Sequence, residues 1–298
     1  MRARNILVAA VARVRRISKR SHEDGLHRTG IRFPQRSGGH ITNCYYEVEG
    51  EGAPVIFIHG VGASLNTWDG VVTQLKSSFR CVRYDLRGHT RSPKPALPYT
   101  LHDLVSDLED LREKLGIARA HLVGHSLGGM IAPAYALLHP ERVLSLGLLS
   151  TAAGRTQAES AKVIALVDAM EEKGVEPLLD QLVERWFTPQ FVERRGNVVA
   201  ARRRQVLETD VGVFLNVFRI YAETELGPRL SQVQAPALVM TGEFDAGCNP
   251  RINRFIASEL PNVELNILSN LRHAILLEAP ERVAPVLTTF LHKHNNGS

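Results

Sequence analysis

Cysteine is scarce in this 298-residue chain, and its three instances, Cys44, Cys81 and Cys248, lie far apart. An odd count without any C-x-x-C pair excludes a disulfide framework and a zinc-ribbon arrangement, and suits a reducing compartment. Each is expected to be a small buried hydrophobe. Long apolar runs are missing too. The N-terminal stretch Ile6 to Ala12 spans only seven residues between polar or basic neighbours, whereas a membrane-crossing helix needs about 20. Arg13, Arg15 and Arg16 stand where a signal peptide would carry its small-residue cleavage site. There is no internal repeat and no low-complexity tract. Neither a metal-ligand spacing nor a G-x-x-x-x-G-K-[ST] phosphate loop is present, so no metal and no cofactor is expected.

Charge is present but unevenly placed. Of 36 basic and 31 acidic residues, residues 1–42 hold ten and two, which leaves 26 and 29 for the remainder. The leader is therefore +8 and the body −3, although the whole chain is +5. A nearly neutral body with a basic tail argues against a nucleic-acid partner. The leader is read as a flexible segment without catalytic role. Its arginines and short apolar run leave organelle targeting or peripheral contact with a membrane surface open, with a cytoplasmic location expected for the body.

Hydrophobic residues make up 44% of the chain, enough for a sizeable core. From about residue 43 strand-like and helix-like patterns alternate. "CYYEVEG", "PVIFIHG" and "RCVRYDLRG" read as strands. "TLHDLVSDLEDLREKLG" reads as a helix capped by Thr100 with Asp103 and stopped by Gly116, its leucines on one face. "AHLVGH", a helix from Leu127 to Leu138, and "RVLSLGLLS" follow. The rhythm breaks over residues 152–232, where helices are predicted around 157–173, 175–187, 198–208 and 210–225. It resumes with "APALVMTGEFD", a helix around 250–259, "VELNIL" and a helix after Pro280. This order predicts an α/β core of residues 43–151 and 233–298, with a mostly parallel sheet covered on both faces. Residues 152–232 are expected to form a helical cap.

"LVGHSLGGM", residues 122–130, places Ser126 between Gly124 and Gly128 directly after a strand. G-x-S-x-G is the spacing of a nucleophile elbow, a strand–turn–helix corner so tight that side chains two positions away must be nearly absent. A serine hydroxyl is a weak nucleophile, so it requires a base, an acid to orient that base, and donors for the oxyanion. In an open parallel sheet these groups belong on loops at the carboxyl ends of strands. Asp245 follows "ALVMTG", and it is preferred to Glu243 because it lies further out on the loop. His273 follows "VELNIL" within "LRHAILLEAP". His59-Gly60-Val61-Gly62 follows "VIFI" and offers the Val61 N–H beside the Leu127 N–H as an oxyanion hole.

The order Ser126, Asp245, His273, together with H-G-V-G, D-L-R-G-H (Asp85 to His89) and G-H-S-L-G-G, resembles the α/β-hydrolase family over about residues 43–293. The resemblance implies an acyl-enzyme on Ser126, with Asp85 to His89 structural. Dehalogenases and epoxide hydrolases of this fold use a carboxylate nucleophile, which Ser126 cannot replace. "VERWFTPQF", residues 183–191, is similar to the cap helix of 3-oxoadipate enol-lactonases. That likeness implies that Trp186 walls an acyl pocket and Arg185 meets a substrate carboxylate. His59 is read as shaping the oxyanion loop through hydrogen bonds rather than transferring protons, and is also a candidate near the substrate. Arg202, Arg203 and Arg204 are expected on an exposed helix face. Two departures are plain: His125 precedes the serine as in general esterases, and the loop reads H-G-V-G. The function implied is hydrolysis of a small-molecule ester or lactone. C–C hydrolysis is the runner-up, weakened because Ala274 follows His273 where those enzymes carry Trp, and a small-ligand receptor is the reading from another class.

Overall fold

The computed structural model describes residues 43–295, and the leader lies outside them. Strands β1 (Tyr46–Glu49), β2 (Ala53–Ile58), β3 (Phe79–Tyr84), β4 (Ala120–His125), β5 (Val143–Leu149), β6 (Ala237–Gly242) and β7 (Val263–Leu268) form one sheet. Their spatial order is β1-β3-β2-β4-β5-β6-β7. All pairings are parallel except β1 with β3, which is antiparallel. Every residue of β4 and β6 is buried, which is why these segments read as unbroken apolar runs rather than alternating ones. β1 and β7 close the two edges and keep exposed positions, Val48 and Leu265 among them.

Between the strands run α1 (Asp69–Leu75), α2 (Leu101–Lys114) and α3 (Gly128–Leu138). α2 carries the expected capping box: Thr100 accepts from the Asp103 N–H while the Asp103 carboxylate accepts from the Thr100 N–H. After β5 come five helices without a strand: α4 (Gln157–Lys173), α5 (Leu179–Trp186), α6 (Pro189–Arg194), α7 (Gly196–Glu208) and α8 (Val211–Glu223). The chain then re-enters the sheet at β6 and ends with α9 (Pro250–Glu259), the short α10 (Ile275–Glu278) and α11 (Pro280–Lys293).

Three helices were not anticipated from the sequence. α1 has only seven residues with a glycine in its first turn, and α10 has four, both too short for a periodic signal. α6 is short as well, but its start was legible: Thr188 accepts from the Phe191 N–H and Pro189 takes the first helical position. The excursion from the sheet is tied at its base by Glu225. Its Oε1 accepts from the N–H groups of Gly154 (2.8 Å) and Gly227 (2.6 Å), and its Oε2 from that of Arg155 (3.2 Å).

Candidate active site

Ser126 sits on the corner between β4 and α3 with φ of +56°, a left-handed conformation that L-residues rarely hold. The corner is braced by the Ser126 N–H donating to Leu149 O (2.9 Å) and by the Thr151 hydroxyl donating to Ser126 O (2.8 Å). The flanking glycines are required by contact. A Cβ on Gly124 would lie 2.0 Å from Gly128 O, and one on Gly128 would lie 2.1 Å from Ile58 O.

Asp245 and His273 converge on the same place from the ends of β6 and β7. His273 Nδ1 lies 2.8 Å from Asp245 Oδ2. The other carboxylate oxygen accepts from the N–H groups of Gly247 (2.9 Å) and Cys248 (2.8 Å). With Nδ1–H donating to the carboxylate, the second ring nitrogen of His273 is left unprotonated and able to accept a proton. Burial alone would raise the Asp245 pKa, but the facing imidazole and the loop N–H groups hold it below the ordinary value. For His273 burial acts downward, and the Asp245 carboxylate more than offsets it, so the imidazole titrates above 6.5. Glu243 is turned elsewhere: it is exposed and its Oε2 accepts from the Asn270 N–H (3.0 Å).

Ser126, His273 and Asp245 line one cavity together with Gly60, Val61, Arg185 and Trp186. Ser126 and His273 face it without a hydrogen bond between them among the described residues, a looseness common before substrate is bound. Among the described residues, neither the Val61 N–H nor the Leu127 N–H is donated to a backbone acceptor outside regular elements. Arg185 lines the cavity, half-buried. Val163, Leu166, Leu182, Phe214 and Phe218 give the roof, from the helices after β5, its apolar character.

His59 does not reach the cavity. It is fully buried, its Nδ1–H donating to Gly60 O (2.8 Å) and its Nε2 accepting the Leu86 N–H (2.9 Å). Burial brings its pKa down to about 4, consistent with an accepting ring nitrogen. His59 therefore shapes the loop and is not placed to touch substrate. The D-L-R-G-H string does similar work nearby. Asp85 Oδ1 accepts from the Leu65 N–H (2.8 Å), and His89 Nε2 accepts from the Gly62 N–H (3.2 Å). His89 is likewise held neutral by burial, with its pKa near 3.

Two residues in the site were missed by the sequence reading. His125 lines the cavity and its Nε2–H donates to the His273 carbonyl (3.0 Å), bracing the loop that carries the base. Arg202 is not on an exposed face: it lines the cavity and donates to the carbonyls of Val61 and Gly62. Three successive arginines cannot share one helix face, because successive residues are turned by 100°. Position 202 falls between Val199 and Val206, the buried positions of α7, and that spacing was the available signal. Arg203 behaves as expected in pairing with Asp180 at the surface, and Arg204 is exposed.

Asp245, Cys248 and His273 bring a carboxylate oxygen, a thiol and a ring nitrogen within 4.8 Å of one another. That set has metal-binding chemistry, although the Asp245–His273 hydrogen bond already spans part of it. None of the three cysteines is in a disulfide, and all three are buried.

A parallel sheet with a serine on a strand–helix corner, followed by an acid and a histidine at later strand ends, defines the nucleophile-elbow class of hydrolytic enzymes. The chain belongs to the α/β-hydrolase fold family, whose model matches residues 53–280. It is 26% identical to 3-oxoadipate enol-lactonase 2 of Acinetobacter baylyi over 81% of this chain and 89% of that protein. It is 25% identical to (E)-2-((N-methylformamido)methylene)succinate hydrolase of the same organism, over 83% of this chain and 94% of that one. The solved enol-lactonase of Burkholderia xenovorans LB400 superposes with a TM-score of 0.79 at 28% identity, covering 85% of this chain and 99% of that one.

Proposed function

We propose that the chain hydrolyses a small-molecule carboxylic ester or lactone through an acyl-enzyme on Ser126. The observation that carries this reading is the single cavity holding Ser126 on its strained corner beside the Asp245–His273 pair. Enol-lactonase relatives and an enol-lactonase structural neighbour support the ester or lactone bond. In this reading His273 Nε2 takes the proton of Ser126 as Oγ attacks the substrate carbonyl. Asp245 holds the ring in the reacting tautomer and stabilises the imidazolium. The Val61 and Leu127 N–H groups receive the oxyanion. Collapse of the tetrahedral intermediate breaks the acyl C–O bond, and the imidazolium gives its proton to the departing oxygen. Water, deprotonated by His273, then releases the acid.

Among the described residues, Arg185 and Arg202 are the arginines on the cavity wall, against one carboxylate, Asp245, that already faces His273. The substrate class is therefore an ester or lactone that itself carries a carboxylate, with Arg185 as its partner. Named relatives acting on a succinate derivative and an oxoadipate lactone support this choice. The test is a panel: a short-chain p-nitrophenyl ester, lactones with a free or methylated carboxylate, and a dienoic diketone, with fluorophosphonate labelling of Ser126. Turnover of the carboxylate-bearing lactone above its methyl ester is expected. Turnover of the diketone alone would move the reaction to C–C cleavage, and labelling without turnover of any would indicate a receptor.

A further inference from the structure

The Val61 N–H is held from two sides, and one of them is the insert between β5 and β6. On the core side, the carbonyl of the same peptide unit, Gly60 O, accepts from His59 Nδ1–H (2.8 Å) and from the Ala63 N–H (3.2 Å). Because a peptide unit is planar and trans, fixing its oxygen fixes the direction of its N–H. On the other side Arg202 of α7 reaches down to the next two carbonyls, donating through Nη2 to Val61 O (3.0 Å) and through Nη1 to Gly62 O. Gln205, one turn further along α7, donates to the Ser64 hydroxyl (2.7 Å). The loop has little slack beneath this grip. A Cβ on Gly60 would lie 2.9 Å from Ser126 Cβ, and one on Gly62 would lie 2.7 Å from the Phe214 ring.

Arg202 makes no ion pair with a carboxylate among the described residues. Its guanidinium stacks 4.6 Å from the Trp186 ring centroid and also donates to Gln205 Oε1 (3.2 Å). Burial lowers its pKa to about 10, which leaves it charged at neutral pH. A half-buried cation without a carboxylate is costly, and an apolar residue at this wall would avoid that cost. What the cation supplies here is two donors aimed at the two carbonyls that follow the Val61 N–H along the loop. We infer that Arg202 is a positioning residue for the oxyanion hole: the helix α7 completes the hole by fixing the loop from above. The hole is then fully formed only while the insert is seated. This inference rests on the acyl-enzyme reading of Ser126.

The test compares Arg202→Met, Arg202→Lys, Arg204→Met and Ser126→Ala with the wild type on a neutral p-nitrophenyl ester, with unfolding temperatures measured alongside. For each variant the affinity for a trifluoromethyl ketone is also measured, because its serine adduct places an oxyanion in the hole. Arg202→Met is expected to lower kcat by about 10²-fold with KM changed by less than about threefold, the pattern of an interaction made in the transition state. Trifluoromethyl ketone affinity should fall by a similar factor, and Arg202→Lys should recover part of both. Arg204→Met, at an exposed position of the same helix, should leave both near wild type. Should Arg202→Met fail to fold, Arg202→Lys carries the same kcat and ketone readouts. Unchanged kcat and ketone affinity in a folded Arg202→Met would overturn the inference while Ser126→Ala stays inactive. An effect confined to KM for carboxylate-bearing esters would also overturn it, making Arg202 a substrate ligand. An active Ser126→Ala would instead remove the acyl-enzyme reading beneath it.

Discussion

Asp245 and Glu243 lie on the same loop two positions apart, yet only Asp245 has its carboxylate on His273, while Glu243 supports the Asn270 N–H. Asp245→Asn is expected to lower turnover by about 10³ to 10⁴, as substitutions that misdirect the histidine tautomer do. Glu243→Gln should cost no more than about tenfold. The two are compared on one ester, and the reverse ranking would transfer the acid to Glu243. The pH profile adds a sign. In the wild type the base is neutral only above a pKa that Asp245 raises over 6.5, so kcat/KM should rise with pH through that value. Removing the carboxylate charge takes away the largest upward push and leaves burial against the smaller one from Cys248, so the rising limb of Asp245→Asn should move to lower pH. A limb that moves upward would mean that another group sets it. At this scale Ser126, Asp245 and His273 were legible because motif spacing and strand ends locate them. His125 and Arg202 were not, because their partners are backbone carbonyls distant in sequence, His273 O and the Val61 and Gly62 oxygens.

The strand–turn–helix corner illustrates what an element must surrender to hold a nucleophile. Only Ser126 and Leu127 separate the end of β4 from the start of α3, whose first-turn N–H groups have no partner within the helix. That approach works only while Gly124 and Gly128 remain bare. Gly124→Ala would put a methyl group 2.0 Å from a main-chain oxygen that no side-chain rotation can move. It should destabilise the fold by about 3 kcal/mol or more. Urea unfolding of the variant checks this, and a loss below about 1 kcal/mol would mean that the corner is looser than its contacts indicate. The sequence disclosed the elements flanking this corner well, since fully buried strands and the capped α2 each have a strong local signature. The shortest helices escaped because fewer than two turns yield no period. The antiparallel pairing of β1 is a property of its partner β3 and has no mark within "YEVE" itself.

For the molecule as a whole, every residue placed at the site lies between Gly60 and Leu277, and the excess positive charge lies before residue 43. Deleting residues 1 to about 36 should leave kcat/KM unchanged and lower the isoelectric point. A folded but inactive truncation would show that the leader contributes to catalysis. The alternation of strands and helices, and the run of helices between β5 and β6, was readable from hydrophobic pattern alone. How the interrupting helices engage the core was not, because those contacts join segments that share no motif. Ala274 N–H meets Trp186 O (2.9 Å), and the Thr188 hydroxyl meets Glu278 (2.6 Å). Glu225, which ties the departing and returning chain at one point, has an evolutionary consequence. Loop closure depends only weakly on how many residues intervene, so a base tied in this way can accept insertions of very different length. The site is a port at which lineages could exchange whole roofs. Arg202 limits that freedom: a transplanted roof must bring its own donors to the Val61 and Gly62 carbonyls, or the recipient inherits a new pocket over a slackened reaction centre.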